Sequence, residues 1–299
     1  MRGRLPNRLM TGTAIAAAAL LVAGCGGQAR GMPPAIEHAP QATADALPAA
    51  PAAPAAPLAG LDTRVQQAAA DAAASGAAIH LAVLDRSTGQ RVSSRADTAF
   101  PIASVVKVFI ADDLLHESDG PLSAADRKAL DVMLRASDDG AAQTFWNRNG
   151  QSAIIERIVA RYGLAGTTPP YNNAKWDVTT STANDLVTYY DKLLNGAGGL
   201  PREQADVIIT NLGQHTPTGV DGYPQRFGIP DGLSGEPVAV KQGWFCCWNG
   251  GNQLHVSTGT IGVDHRYVMA IGALDPTDEA AARENITQAV RTVFPGGKI

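Results

Sequence analysis

The sequence predicts an α/β (α+β) domain: an antiparallel five-stranded sheet flanked by terminal helices, with an all-helical lobe inserted at about residues 97–236. Three observations carry that prediction. Over residues 61–299 the segments run helix, two strands, a helical block, three strands, helix. Strands separated by a block of helices suggest one antiparallel sheet with an inserted helical lobe. About 240 residues suffice for one well-buried core.

Leu61 to about Ser75 is Ala-rich with apolar spacing near 3.6 and reads as the first helix. Ile79-His80-Leu81-Ala82-Val83-Leu84-Asp85 reads as a strand, Ser87-Thr88-Gly89 as a turn, and Gln90–Ser94 as the hairpin partner. The helical stretch then begins with an apolar run from Phe100 to Leu115. It continues with a helix at about Ser123–Ala136 and two more within Asp138–Tyr162. Residues 163–176, holding Gly163, Gly166, Pro169 and Pro170, are irregular. Thr182–Asn195 and Pro201–Leu212 are helical, the latter with Pro at a first-turn position. Val238–Trp244, His255–Gly262 and Arg266–Leu274 are rich in β-branched or apolar residues and read as strands. Asp278–Phe294 closes the chain as a helix.

Residues 1–60 read differently. Arg2, Arg4 and Arg8 precede an apolar run from about Thr11 to Val22, too short to span a bilayer comfortably and reading as a signal peptide over 1–24. The run ends in Leu21-Val22-Ala23-Gly24-Cys25, which resembles the lipobox of bacterial lipoproteins. That resemblance implies cleavage before Cys25, a lipid on Cys25, and export to the outer face of the cell membrane. The plainer alternative is a secretory signal with an incidental Cys. Residues 25–60 follow as a tether; from Ala46 to Ala59 they are only Ala, Pro and Leu. Such composition holds too little bulky apolar surface to offset ordering entropy. Extended at about 3.1 Å per residue, it can hold a domain roughly 100 Å from its anchor.

The formal net charge of -4 with scattered Lys and Arg argues against nucleic acid. No spaced Cys/His cluster suggests a metal and no Gly-rich loop a phosphate, so no cofactor is expected; the domain is expected to be a monomer. Beyond Cys25 the cysteines are the neighbours Cys246 and Cys247. In an oxidising compartment they can pair only with each other or with another chain. A vicinal disulfide and two free thiols at a strand end both remain open.

The chemistry concentrates in three short stretches. Ser104-Val105-Val106-Lys107 enters the first helix of the block, and a Ser and Lys three apart on a helix share a face. That spacing lets an amine take the proton from a hydroxyl that is otherwise a weak nucleophile. Ser137-Asp138-Asp139 follows an apolar helix and opens the next. Lys241-Gln242-Gly243-Trp244 lies in the first strand after the block. Each has a plain structural reading. Ser137-Asp138 can be a helix N-cap worth roughly 1 kcal/mol, Lys241 can be an edge-strand lysine that discourages pairing, and Ser104 can cap its helix.

The three stretches in this order resemble S-x-x-K, S-D-N and K-[TS]-G of the penicillin-recognising serine enzymes, meaning class A β-lactamases and D,D-peptidases. By element order the resemblance covers essentially all of residues 61–299 and is nearest to β-lactamase-like lipoproteins of actinobacteria. It implies Ser104 as the acylated nucleophile, Lys107 as its activating partner and Ser137 as the relay to the leaving nitrogen. Lys241 would supply positive charge toward the substrate carboxylate. The backbone N–H groups of Ser104 and Trp244 would form the oxyanion hole. Asp139, Gln242, Gly243 and His255 complete the expected substrate site, with His255 at the place for a cation facing that carboxylate. A lone His is more often structural. Trp244, Phe245 and Trp248 can line a groove or pack a sheet edge.

This chain departs from the family pattern at three points. Asp139 stands where the second motif has Asn; a carboxylate only accepts hydrogen bonds and raises the proton affinity of a nearby lysine. Gln242 stands where the third motif has a hydroxyl. Leu164–Trp176 contains no acidic residue, whereas class A β-lactamases carry there the Glu that activates the deacylating water. Asp177 falls where the family has a structural Asp. The expectation is therefore a membrane-tethered serine acyl-transfer hydrolase, acting on a β-lactam or a peptidoglycan-peptide-like substrate through an acyl-Ser104 intermediate that deacylates slowly. The rival is a catalytically inactive lipoprotein that binds wall material or a protein partner. An occluded Ser104, or a Lys107 locked by Asp139, would favour the rival. A generic esterase has no G-x-S-x-G elbow to support it.

Overall fold

The computed structural model describes residues 60–299. The signal peptide, Cys25 and most of the tether lie outside the described residues. The first described helix, α1 (Leu61–Ala74), buries Leu61, Val65, Ala68 and Ala72, a single face at helical spacing. Two strands follow, β1 (Ala78–Asp85) and β2 (Gln90–Ser94). The chain then leaves the sheet through β3 (Phe100–Pro101) and a 3-10 turn at Ala103–Val105. The lobe comprises α2 (Val106–His116), α3 (Ala124–Arg135), α4 (Asp139–Arg148) and α5 (Ser152–Tyr162). A 3-10 turn at Trp176–Val178 leads into β4 (Thr180–Ser181), then α6 (Ala183–Asn195), α7 (Arg202–Gly213) and the short α8 (Ile229–Gly232). The chain returns as β5 (Val238–Trp248), β6 (Asn252–Ile261) and β7 (Tyr267–Asp275), and closes with α9 (Glu279–Val293).

The five long strands form one antiparallel sheet in the order β2-β1-β7-β6-β5, so the expected architecture stands. Its two faces bury two cores. One joins the sheet to α1 and α9 through residues such as Val65, Met269, Ile271 and Val290. The other joins it to the lobe through Phe100, Phe109, Tyr189, Tyr190 and Val268. With both faces covered, β1 and β7 are buried along nearly their whole length without alternation. Ten of the eleven residues of α2 are buried, which makes it the axis of the lobe. Its Asp112 is held by Arg161, Tyr162 and Tyr189, a paired and hydrogen-bonded carboxylate as a buried charge requires.

Local signals explain most boundaries. Ser123, Asp138, Thr182 and Asp278 accept hydrogen bonds from backbone N–H groups of the first turns of α3, α4, α6 and α9. Gly163 ends α5 in the left-handed conformation that glycine adopts without steric cost.

Three local expectations need correction. Ser104 lies in the 3-10 turn ahead of α2, not within the α-helix. A two-stranded ribbon joins β3 to β4, pairing Phe100 with Ser181 and Pro101 with Thr180; two residues are too few to leave a period-2 signal. The β5–β6 hairpin is longer than expected. β5 runs to Trp248 and β6 begins at Asn252, so the turn is Asn249-Gly250-Gly251, all at positive φ. Cys246 and Cys247 therefore sit in the end of β5 beside a register irregularity, and they are disulfide-bonded to each other across a cis peptide.

Candidate active site

Three elements meet at Ser104. The ribbon delivers the chain from Pro101 into the 3-10 turn, with the Ile102 N–H donating to the Thr179 carbonyl at 2.9 Å. Ala103, one residue before Ser104, takes a left-handed φ of 46°. A side-chain-bearing residue there costs about 1–3 kcal/mol, which the surrounding fold must hold in place. β5 lies against this turn. A Cβ on Gly243 would stand 2.6 Å from the Ile102 carbonyl oxygen and 3.2 Å from the Ser104 nitrogen. Glycine is thus required for β5 to bring its 243–244 backbone against the Ser104 amide, where two N–H donors can converge on one oxygen.

The polar side chains form a continuous chain. Lys107 Nζ donates to Ser104 Oγ at 2.8 Å, to Ser137 Oγ at 3.0 Å and to the Ser137 carbonyl at 2.7 Å. Lys241 Nζ donates to the same Ser137 Oγ at 2.9 Å and to the Gln242 carbonyl at 2.9 Å. Ser137, from the loop between α3 and α4, is thereby shared by both lysines at a left-handed φ of 59°. The helix-cap reading divides between neighbours: Asp138 Oδ1 caps α4 by accepting from the Ala141 N–H at 2.6 Å, while the Ser137 hydroxyl belongs to the lysines. Lys241 is fully buried and no edge-strand guard. Ser104 Oγ has Lys107, not a helix N–H, as its partner.

Electrostatics follow from burial. Lys107 has no exposed side-chain surface, and burial pulls its proton affinity below the ordinary lysine value. Asp139 opposes this shift, with smaller help from Asp138 and Asp221. The sequence expectation that Asp139 raises the Lys107 value holds for the sign of that one contribution; desolvation outweighs it. Burial lowers Lys241 further, and the neighbouring Lys107 charge acts in the same direction. Two buried amines of weakened basicity flanking one serine hydroxyl can pass a proton between Ser104 and a leaving group.

The cleft over Ser104 encloses about 540 Å³ and is lined by Ser104, Asp139, Gln143, Lys175, Trp176 and Phe245 among others. Asp139 reaches in from the first turn of α4. Its Oδ1 lies 2.6 Å from Lys107 Nζ, and its side chain is 76 % exposed. Asp177 also lines the cleft. Trp244 lines it and stacks on Tyr223 at 4.7 Å, which keeps its ring at the sheet edge. Trp248 contacts Phe245 edge to face.

Two expected substrate residues lie elsewhere. Gln242 is 1 % exposed, and its side-chain nitrogen donates to the carbonyls of Gln225 at 3.2 Å and Phe227 at 2.5 Å. It ties β5 to the segment leading into α8, because period-2 alternation sends it to the face opposite Lys241. His255 is the fourth residue of β6, pairs with Trp244, and is 1 % exposed. Its Nε2 lies 2.6 Å from Tyr223 Oη, which also accepts from Arg283. Burial, aided by the Arg283 charge, lowers its pKa to about 4. A neutral imidazole in that position supplies no cation.

This histidine has a measurable consequence for stability. Its pKa is depressed on folding, so its contribution is fully present above the unfolded value near 6.5 and is lost as pH falls through about 4. The expected loss is about 3 kcal/mol across that window. Denaturation profiles of the wild type and His255→Gln should diverge between pH 6.5 and 4, with the variant flatter. Parallel profiles would mean that His255 protonates freely.

Sequence reasoning missed several participants. Trp176 places its ring 4.9 Å from Lys107 Nζ and donates from Nε1 to Gln143 Oε1. It sits at the end of the irregular loop that lacks acidic residues. Tyr223 and Gln225, from a Gly/Pro-rich loop without periodicity, buttress β5 from behind. The left-handed backbone at Ala103 and Ser137 leaves no mark in residue type.

The fold is that of class A β-lactamases and penicillin-binding proteins. The description "Beta-lactamase enzyme family" matches residues 61–128. Solved structures share the fold: a class A β-lactamase from Mycobacterium abscessus (23 % identity, TM-score 0.61, covering 77 % of this chain and 98 % of that one), and PBP-A (20 %, 0.64, 81 % and 97 %). Proteins of Mycobacterium tuberculosis and Mycobacterium bovis named "Putative lipoprotein LppW" are 57 % identical over 242 residues, covering 80 % of this chain and 76 % of theirs. The chain belongs to the LppW family.

Proposed function

We propose that this chain is a membrane-tethered serine acyl-transfer hydrolase that forms an acyl-Ser104 intermediate and releases it slowly. The observation that carries this reading is the unbroken path from Ser104 Oγ through Lys107 Nζ to Ser137 Oγ and Lys241 Nζ. Ser104 Oγ attacks a strained or activated carbonyl while Lys107 accepts its proton, and Ser137 returns that proton to the leaving group. The resulting oxyanion is met by the N–H groups of Ser104 and Trp244. Ligands suited to such a cleft are β-lactams and peptidoglycan-like peptides. The lipobox at Cys25 and the lipoprotein name of its relatives support anchorage to the outer face of the membrane.

Slow release rests on the loop before β4, where Trp176 and Lys175 line the cleft and no Glu stands. Mixing with a chromogenic acyl ester should give a burst of about one equivalent followed by slow turnover. Ser104→Ala should show no burst. A linear trace in the wild type, equal to that of Ser104→Ala, would reject acyl-enzyme accumulation.

The Lys107–Asp139 pair favours a second reading. A lysine held at 2.6 Å by a carboxylate is a poorer base, as a catalytically inactive wall-binding or partner-binding lipoprotein would tolerate. Ser104 nonetheless lines the cleft, and burial still weakens Lys107 as a proton holder, so acyl transfer is the better supported of the two.

A further inference from the structure

Asp139 is the one cleft side chain that touches the activating lysine while remaining open to solvent. Its Oδ1 is engaged by Lys107, and among the described residues its Oδ2 has no hydrogen-bond partner. Lys107 Nζ bridges Ser104 Oγ at 2.8 Å and Asp139 Oδ1 at 2.6 Å, so those two oxygens lie within about 5.4 Å of each other. A carbonyl ready for attack sits about 3–3.5 Å from the nucleophile. An amino nitrogen on the adjacent carbon is then about 2.5 Å from the acyl carbon by covalent geometry. Those lengths allow that nitrogen to come within hydrogen-bond reach of the Asp139 carboxylate. A carboxylate accepts from N–H but cannot donate to an amide carbonyl.

We propose that Asp139 is a receptor for a substrate ammonium group on the carbon next to the scissile acyl group, so that the cleft selects free-amino acyl donors over N-acylated ones. This rests on the serine acyl-transfer reading and narrows its ligands to β-lactams and peptides whose amine beside the acyl carbon is free, with N-acylated ones as the slower donors. Recognition is coupled to activation. Asp139 strengthens the hold of Lys107 on its proton, and a second cation on the carboxylate weakens that hold and frees the amine to act as base. The step balances. Ser104 Oγ forms an ester with the acyl carbon as the bond to the leaving group breaks, and the hydroxyl proton passes by Lys107 and Ser137 to the departing atom. Of the other charged side chains in the cleft, Lys175 and Asp177 oppose each other in sign, which leaves Asp139 to set the preference.

The test compares an alanyl thioester with its N-acetyl form at pH 6.5, below the ordinary α-amino value of about 7.7–8.0, each rate divided by its uncatalysed rate. Wild type should acylate with the free-amino donor at least tenfold faster, and Asp139→Asn should abolish or invert that ratio. Equal ratios in the two proteins would overturn the proposal. In parallel, binding of alaninamide and N-acetylalaninamide to Ser104→Ala is measured by calorimetry. Tighter binding of alaninamide, lost on adding Asp139→Asn, supports ammonium recognition even if no thioester acylates Ser104, an outcome that would count against the acyl-transfer reading alone. Equal binding of the two amides would overturn the recognition itself.

Discussion

Replacing Lys107 with Met should reduce the rate of Ser104 acylation by roughly 10²–10⁴-fold, the range ascribed to a positioned general base. Lys107 is the only group that hydrogen-bonds Ser104 Oγ among the described residues. Methionine retains much of the side-chain volume but neither accepts the proton nor leaves a charge. The fold should tolerate the change. Asp139 is mostly exposed and can be solvated, and the Ser137 hydroxyl keeps Lys241. Lys107→Arg should not rescue the rate, because a guanidinium keeps its proton. In the wild type, acylation should rise with pH along a limb whose midpoint lies below the ordinary lysine value, because the base is the neutral amine and burial lowers its proton affinity. Pre-steady-state rates against pH check all three statements. An undiminished Lys107→Met rate would remove the base from the account.

Gly243→Ala should damage both the fold and the chemistry. The added methyl would meet the Ile102 carbonyl at 2.6 Å and the Ser104 nitrogen at 3.2 Å, and neither backbone atom can swing aside as a flexible side chain would. Overpacking of this kind typically costs about 1–3 kcal/mol. A displacement of about 1 Å between the Trp244 and Ser104 amides would cost about a hundredfold in rate. Chemical denaturation and the acylation rate, measured on one preparation, separate the two effects. A variant with wild-type stability and rate would show that β5 does not need to approach Ser104 so closely.

How much of this was legible in the sequence depended on where each signal resides. The long elements were, since α1 and the strands carry their periodicity or apolar runs in residue type. Ser104, Lys107, Ser137 and Lys241 were legible through motif order, and the structure brings all four into one hydrogen-bonded chain. The side on which a residue falls was not. Gln242 and His255 sit close in the strands to residues of the site, yet their side chains are buried behind β5, where Gln225, Phe227 and Tyr223 hold them. Assigning those directions requires the packing of a Gly/Pro-rich loop that has no period to read. The β5–β6 turn is tighter than the gap expected between Trp244 and His255, because Asn249-Gly250-Gly251 holds the positive-φ residues a turn uses. Nothing in the irregular loop before β4 marks Trp176 as a neighbour of Lys107; only the packing of that loop against α2 places it there.

The central claim is that Ser104 is an acylatable nucleophile within its buried lysine pair. Its most direct test is intact mass spectrometry of the folded domain after incubation with a penicillin and with an activated acyl ester, followed by proteolytic mapping, beside Ser104→Ala. The expected result is a long-lived adduct of one acyl group per chain, mapped to Ser104 and absent from the variant. An unmodified wild-type mass with both reagents after long incubation, or an adduct that persists in Ser104→Ala, would contradict it.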